Sequence, residues 1–217
     1  MLDKHKLDLI RHYQANTQTP ESLVNAAVSI VLRNPENPEF LLMQRAKHPN
    51  DPWSGQMAFP GGKFETKDGS YKQTAIRETQ EEVGLELRED EFIGQLDDVY
   101  GVKANGELSV HVACFVFLLE RDVNLNANHE VADMIWLPFS FLEDPLNFYE
   151  HAHPHDLSLK MPAILIDQPK EQILWGLSLR MLLTLYRVLH LPMKAISDKD
   201  KEQLSLIEKR ALLIKNT

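Results

Sequence analysis

A chain of 217 residues with 43% hydrophobic and 25% charged residues has the make-up of a globular protein around one core, which excludes a fibrous or largely disordered chain. Its 23 Lys and Arg against 32 Asp and Glu give a formal net charge of -9, which disfavours nucleic acid or an anionic membrane as partner but leaves room for a small anionic substrate at a local site. No apolar run approaches the ~20 residues that span a bilayer, so no membrane association is expected.

The first eight residues carry acids and no apolar stretch, so they do not read as a secretory signal. Leu7, Ile10 and Tyr13 share helical spacing, and residues 1–20 are expected as an N-terminal helical extension broken at Thr19-Pro20. Next come the compact run Val24–Leu32 and the run Phe40–Met43, joined by Asn34-Pro35-Glu36-Asn37-Pro38, which predicts two strands around a turn. A helix is predicted from about Tyr71 to Val83, and further strands near residues 91–100, 108–119 and 131–137. The lone cysteine, Cys114, lies in the apolar run His111–Phe117 and is expected in the core; with no disulfide available, a reducing, cytoplasmic setting follows.

His151, His153 and His155 alternate around Pro154 without a common zinc spacing, and are expected in a loop that lines a substrate pocket or is simply solvated. Trp53, Phe148 and Tyr149 could stack a base or pack. After Pro169 the pattern turns helical, with Leu174, Leu177, Met181, Leu185 and Val188 on one stripe. A last helix over residues 191–217 starts near Asp198 with Ser197 as N-cap; its stripe of Leu204, Ile207, Ala211 and Ile214 packs on the domain or on a second subunit, a homodimer. The plan is α+β, with the main domain over residues 21–190.

The segment that carries chemistry runs from Pro60-Gly61-Gly62-Lys63 to Arg77-Glu78-Thr79-Gln80-Glu81-Glu82-Val83-Gly84-Leu85. At about 100° per residue from Arg77, Glu81 lies near 40°, Glu78 near 100° and Glu82 near 140°, while Thr79, Val83 and Ile76 lie near 200° to 260°. The helix therefore has an acidic side and an apolar side. With Gly84 as the C′ residue, Glu81 and Glu82 sit at the negative end of the dipole, and Glu78 and Glu82 form a like-charge i,i+4 pair. A divalent cation would reverse both conflicts, and all-oxygen ligands suit Mg²⁺ or Mn²⁺; a solvated acidic face is the plain alternative. Gly61 and Gly62 either offer bare backbone to a phosphate or metal or form an ordinary turn.

This stretch resembles the Nudix box, with Gly62 followed by Arg77-Glu78-x-x-Glu81-Glu82-x-Gly84-Leu85. Asp68 stands where the box has Glu, and eight residues rather than seven separate it from Arg77. A wider resemblance, over about residues 26–189, is to the coenzyme A pyrophosphatase branch of the Nudix hydrolases. It rests on Leu41-Leu42-x-x-Arg45, on Gly55-Gln56-Met57-Ala58-Phe59-Pro60-Gly61-Gly62, on Thr74-Ala75-Ile76-Arg77-Glu78 and on Trp175-Gly176-Leu177-Ser178. Ala46 and Trp53 stand where that branch usually has Ser and His.

The resemblance implies a Nudix-like α/β/α sandwich with a mixed sheet and extra C-terminal helices. It implies Mg²⁺- or Mn²⁺-dependent hydrolysis of a pyrophosphate in a nucleotide substrate, coenzyme A or its thioesters giving 3′,5′-ADP and phosphopantetheine. Hydrolysis of another nucleotide (ADP-ribose, a dinucleotide, a non-standard nucleoside triphosphate) and a non-catalytic nucleotide-binding regulator are the alternatives. The implied metal ligands are Glu78, Glu82, Glu81 and the Gly62 carbonyl, with Arg77 fixing the glutamate rotamers. Glu81 or Glu130 is the general base, and Arg45, Lys63, Gly61 and Gly62 contact substrate phosphate.

Overall fold

The computed structural model describes residues 1–17, 23–49, 51, 53–102, 108–153, 156–194 and 196–202. In chain order the elements are α1 (Lys4–Arg11), β1 (Val24–Arg33), β2 (Glu39–Arg45), β3 (Met57–Ala58), β4 (Gly61–Lys63), α2 (Tyr71–Val83), β5 (Phe92–Val102), β6 (Leu108–Leu119) and β7 (Val131–Pro138). There follow β8 (Phe148–His153), β9 (Asp156–Asp167), β10 (Gln172–Trp175) and α3 (Gly176–Val188).

A seven-stranded mixed sheet runs β3-β2-β1-β6-β5, with β4 also paired to β1 and β7 to β2. Its centre is the parallel pair β1 and β6, in register from Val24 opposite Val110 to Arg33 opposite Leu119. A strand buried on both faces must be apolar on both, and β6 shows it. Val112, Cys114, Val116 and Leu118 belong to one core cluster, shared with Ile10 of α1 and Leu182 and Leu185 of α3. Ala113, Phe115, Phe117 and Leu119 belong to the other, shared with Ala75 and Val83 of α2. Helices on both faces of one mixed sheet make the expected α/β/α sandwich. Cys114 is a fully buried core residue whose thiol burial pushes up, so it is not a nucleophile.

Two expectations need correction. The His151 and His153 segment is strand β8, not a loop; β8, β9 and β10 form a separate three-stranded antiparallel sheet. The apolar run Met161–Ile166 followed by the turn at Asp167-Gln168-Pro169-Lys170 is its signature, which helical counting past Pro169 overlooks. Leu174 accordingly lies on β10, and the helix starts at Gly176, whose φ of +61° turns the chain out of the strand. The break at Thr19-Pro20, His155 and the Leu204, Ile207, Ala211, Ile214 stripe lie outside the described residues. Residues 198–202 are helical, and the Ser197 hydroxyl accepts from the Asp200 amide at 3.2 Å, as an N-cap does. No helix among the described residues is long and apolar enough to cross a membrane.

Candidate active site

The acidic helix forms where the spacing places it. Ser70 caps α2 by accepting from the Gln73 amide at 3.2 Å, and Gly84 ends it at φ +69°, a left-handed conformation that suits glycine. Its buried face takes in Thr79 and Val83 of the apolar side but is turned from the wheel's centre toward Thr74, Ala75 and Glu82. Thr74, Ala75, Thr79, Glu82 and Val83 are buried, whereas Ile76 is only partly so. Small Ala75 and Thr79 let the helix lie close on β1, where the Ser29 hydroxyl donates to the Ala75 carbonyl at 3.1 Å. This orientation carries Glu82 from the acidic side into the interface, at 2% exposure.

Burial costs a carboxylate its hydration, and only some partners offset the loss. The Gly61 amide donates to Glu82 Oε2 at 2.8 Å, and Arg45 Nη1 lies 3.8 Å from Oε1. Desolvation dominates and pushes the Glu82 carboxyl up to about 8; the charges of Glu78 and Glu130 push the same way, the Gly61 amide and Arg45 against it. Glu78 is also raised, by burial first, with Arg77 pulling it back and Glu81 and Glu130 pushing. Glu78, Glu82 and Glu130 therefore share one local field.

The backbone at Gly62 fits tightly against this group. A Cβ there would stand 2.4 Å from the Glu78 carboxyl carbon, so a side chain would fill the space the carboxylate occupies. Glu130 follows a loop stitched to the end of α2: Asn126 donates to the Val83 carbonyl at 2.8 Å and Asn128 to the Glu82 carbonyl at 2.9 Å, while the Ala46 amide donates to the Glu130 carbonyl at 2.7 Å. This loop brings the acid of a distant strand start beside Arg45 and the box.

Arg77 organises the solvent side. Its Nη1 lies 2.9 Å from Glu78 Oε1 and donates to Glu81 Oε2 at 3.0 Å, and its Nη2 donates to the Lys63 carbonyl at 3.2 Å. Asp68 in turn clamps Arg77, accepting from Nε at 2.7 Å and Nη2 at 3.1 Å, and also accepts from Thr74 Oγ1 and the Glu65 amide. These donors hold the Asp68 carboxyl well below its ordinary range. Despite the extra spacer residue, Asp68 at the end of the short turn Thr66–Asp68 reaches Arg77 and performs an anchoring task that the spacing alone does not reveal. The Lys63 side chain is exposed, and β4 brings only its carbonyl to the group. Arg45 is shared with Asp51, at 2.8 Å.

The donor set is all oxygen and suits a hard divalent cation, but the carboxylates are not gathered around one point. Among the described residues no three His, Cys, Asp or Glu side chains converge as a metal cluster, because Glu78 and Glu81 are drawn toward Arg77 and Glu82 toward Gly61. To close on one cation, Glu78 and Glu81 would have to turn from Arg77. Two concavities, of about 550 Å³ beside α1 and α3 and about 370 Å³ beside Arg33 and Arg121, involve no residue of this group.

A pH-dependent stability follows. Because the folded-state Glu82 carboxyl titrates above its ordinary value, its contribution is fully present below about pH 4.5 and is lost as pH rises through about 8, where the buried group must ionise. Glu82→Gln removes that titration. Thermal melts at pH 5.5, 7 and 9 without divalent cations should show the variant's advantage over wild type growing with pH, to a few kcal/mol. Millimolar Mg²⁺ should shrink it by stabilising the ionised wild type. A difference independent of pH would contradict the burial argument.

Comparison with known proteins gives the following. The NUDIX domain family profile matches residues 24–156. The chain is 39% identical over 109 residues to a protein of Schizosaccharomyces pombe, an alignment covering 48% of this chain and 33% of that protein, so it spans about a third of that relative's length. It is 30% identical over 158 residues to the Nudix hydrolase NudL of Yersinia pestis (strain Pestoides F), covering 70% of this chain and 73% of that one. Among solved structures, a MutT/nudix family protein from Enterococcus faecalis matches with a TM-score of 0.52 at 20% identity, over 83% of this chain and 69% of that one, a likeness of fold.

Proposed function

The chain belongs to the Nudix family and is a pyrophosphohydrolase, and from that premise we propose that it hydrolyses the pyrophosphate of coenzyme A or its thioesters, releasing 3′,5′-ADP and a phosphopantetheine product. The observation that carries the site assignment is Glu82: a carboxylate buried at 2% exposure beside Glu78 and Glu130 is held against its own desolvation, which a cation would relieve. The substrate rests on the segments around Arg45, Gly55–Gly62 and Trp175-Gly176-Leu177-Ser178.

Glu78 and Glu82 would hold Mg²⁺ or Mn²⁺, with Glu81 and the Gly62 carbonyl as further oxygen donors. When bound, the cation supplies charge neutralisation for the phosphoryl oxygens and for the bridging oxygen that leaves. The chain's own residues do the rest. The Gly61 amide fixes Glu82, and Arg77, braced by Asp68, fixes Glu78 and Glu81. Arg45 meets a substrate phosphate from the end of β2. Glu130 takes the proton of the attacking water: its carboxylate makes no ion pair among the described residues, whereas Glu81 is engaged by Arg77.

The deciding experiment is a panel of coenzyme A, acetyl-coenzyme A, ADP-ribose, dinucleotides and non-standard nucleoside triphosphates, with and without Mg²⁺, products read by mass. Coenzyme A should give 3′,5′-ADP fastest, with negligible turnover without a divalent ion. Faster turnover of another nucleotide would replace the substrate. No turnover of any, with nucleotide binding retained, would leave a binding module.

A further inference from the structure

The proposed chemistry places the pyrophosphate but leaves the nucleobase without a seat, and the second sheet offers one. Along β8, Tyr149, His151 and His153 alternate onto one face, and the register sets Tyr149 opposite Ala163 and Ala163 opposite Trp175, so Trp175 of β10 shares that face. The rings form one layer: His151 lies 4.7 Å from Trp175 between centroids, His153 lies edge-on to Trp175 at 5.9 Å, and Tyr149 is 6.4 Å from His151. The opposite face, with Phe148, Ile164 and Leu174 in register, packs into the main core. Tyr149 is 39% exposed, and His151, His153 and Trp175 are half-buried, so the ring layer meets solvent.

The sheet is tied to the end of β2 through Gln44, the residue before Arg45. Gln44 donates to the Lys170 carbonyl at 3.1 Å, and Asp133, opposite Gln44 across β2 and β7, accepts from Gln172 at 2.9 Å and Lys170 at 2.8 Å. From Gln172 to Trp175 the strand advances about 10 Å, at about 3.3 Å per residue, which carries it from the Asp133 contact to the ring face. β10 also packs beside β3, which leads directly to Gly61 and Gly62.

We propose that the face formed by Trp175, His151 and Tyr149 is the seat of the substrate's purine ring, stacked on Trp175. This rests on the pyrophosphohydrolase reading above. The rings are tilted to one another by 39° to 89°, so the base stacks on the Trp175 indole with the other rings at its edges, and burial with the neighbouring charges of His153 and Lys160 lowers the His151 pKa, favouring a neutral ring beside the base. Four side chains are too small an area for a stable protein partner, which needs about 800 Å² on each side.

The test separates base from phosphate. Tryptophan fluorescence of the whole protein is titrated with ADP and with inorganic pyrophosphate, each with Mg²⁺, on wild type, Trp175→Phe and Tyr149→Ala. ADP should quench wild type and pyrophosphate should not, and the quenching should disappear in Trp175→Phe, whose Trp53 and Trp136 remain. In steady-state kinetics on the best substrate of the panel, Trp175→Leu should raise KM about 10- to 100-fold with kcat changed less than about threefold, while Trp175→Phe recovers most of the loss. Tyr149→Ala, at an exposed position that tolerates truncation, should raise KM severalfold. Equal quenching by pyrophosphate, or unchanged KM in both Trp175→Leu and Tyr149→Ala, would overturn the base seat while leaving the hydrolase intact. No turnover by wild type would instead overturn the hydrolase reading.

Discussion

Glu82→Gln is expected to lower kcat by at least about 10³-fold while leaving a folded protein. The amide keeps the shape of the carboxylate and an oxygen to accept from the Gly61 amide, so the 2.8 Å contact and the docking of α2 survive. What disappears is the negative charge that Glu82 would carry with a cation bound, at a buried position where charge counts most. The loss should appear twice: as the fall in kcat, and as a weaker apparent affinity for Mn²⁺ in calorimetry. The same substitution at Glu81, half-exposed and tied to Arg77, should cost less. Near-normal turnover by Glu82→Gln, with its fold confirmed by circular dichroism, would remove Glu82 from the site.

Gly61→Ala is expected to be the most destabilising small change in the box. A Cβ there would lie 2.3 Å from the Ala27 carbonyl oxygen and 2.6 Å from Val28 Cα, both backbone atoms of β1. That strand cannot yield, because its whole length is paired to β6 and Ala27 and Val28 are themselves paired to Gly62 and Gly61. Relief must come from β4 moving away, which pulls the Gly61 amide from Glu82. Overpacking against backbone with loss of a buried bond predicts about 3 kcal/mol of destabilisation and a fall of about 10 °C in Tm, together with loss of activity. Gly69→Ala is the control: it sits at φ +72° with open space around it, so it should show the smaller cost of a strained turn alone. A Gly61→Ala protein melting within about 2 °C of wild type would refute the close approach.

The elements differ in how far residue order alone reveals them. Gly84 and the periodicity before it place α2 at about Tyr71–Val83, because caps and periodicity are local. The runs for β1, β2, β5, β6 and β7 were equally plain, since each must be apolar to be buried. The three-stranded sheet was not, because the polar, histidine-rich β8 has only one buried face and leans on β9 and β10 for its pattern. The task of Asp68 is hidden for a related reason: residue order shows an acid one spacer residue out of place, and only the folded turn before α2 brings it to Arg77.

The residue order by itself determined the box, the chemistry of its oxygen donors and the two-sided core of β6, all of which depend on residue type and short-range spacing. Only the tertiary structure decided which carboxylate bears the burial. A helical wheel sets Glu78, Glu81 and Glu82 side by side on one solvated arc, whereas the close contact of Ala75 and Thr79 with β1 rotates Glu82 into the interface, leaves Glu81 to Arg77, and lets the Asn126–Glu130 loop bring in a third acid. Rotation of a helix about its axis is fixed by what it packs against, and that information lies in the partner strand rather than in the helix.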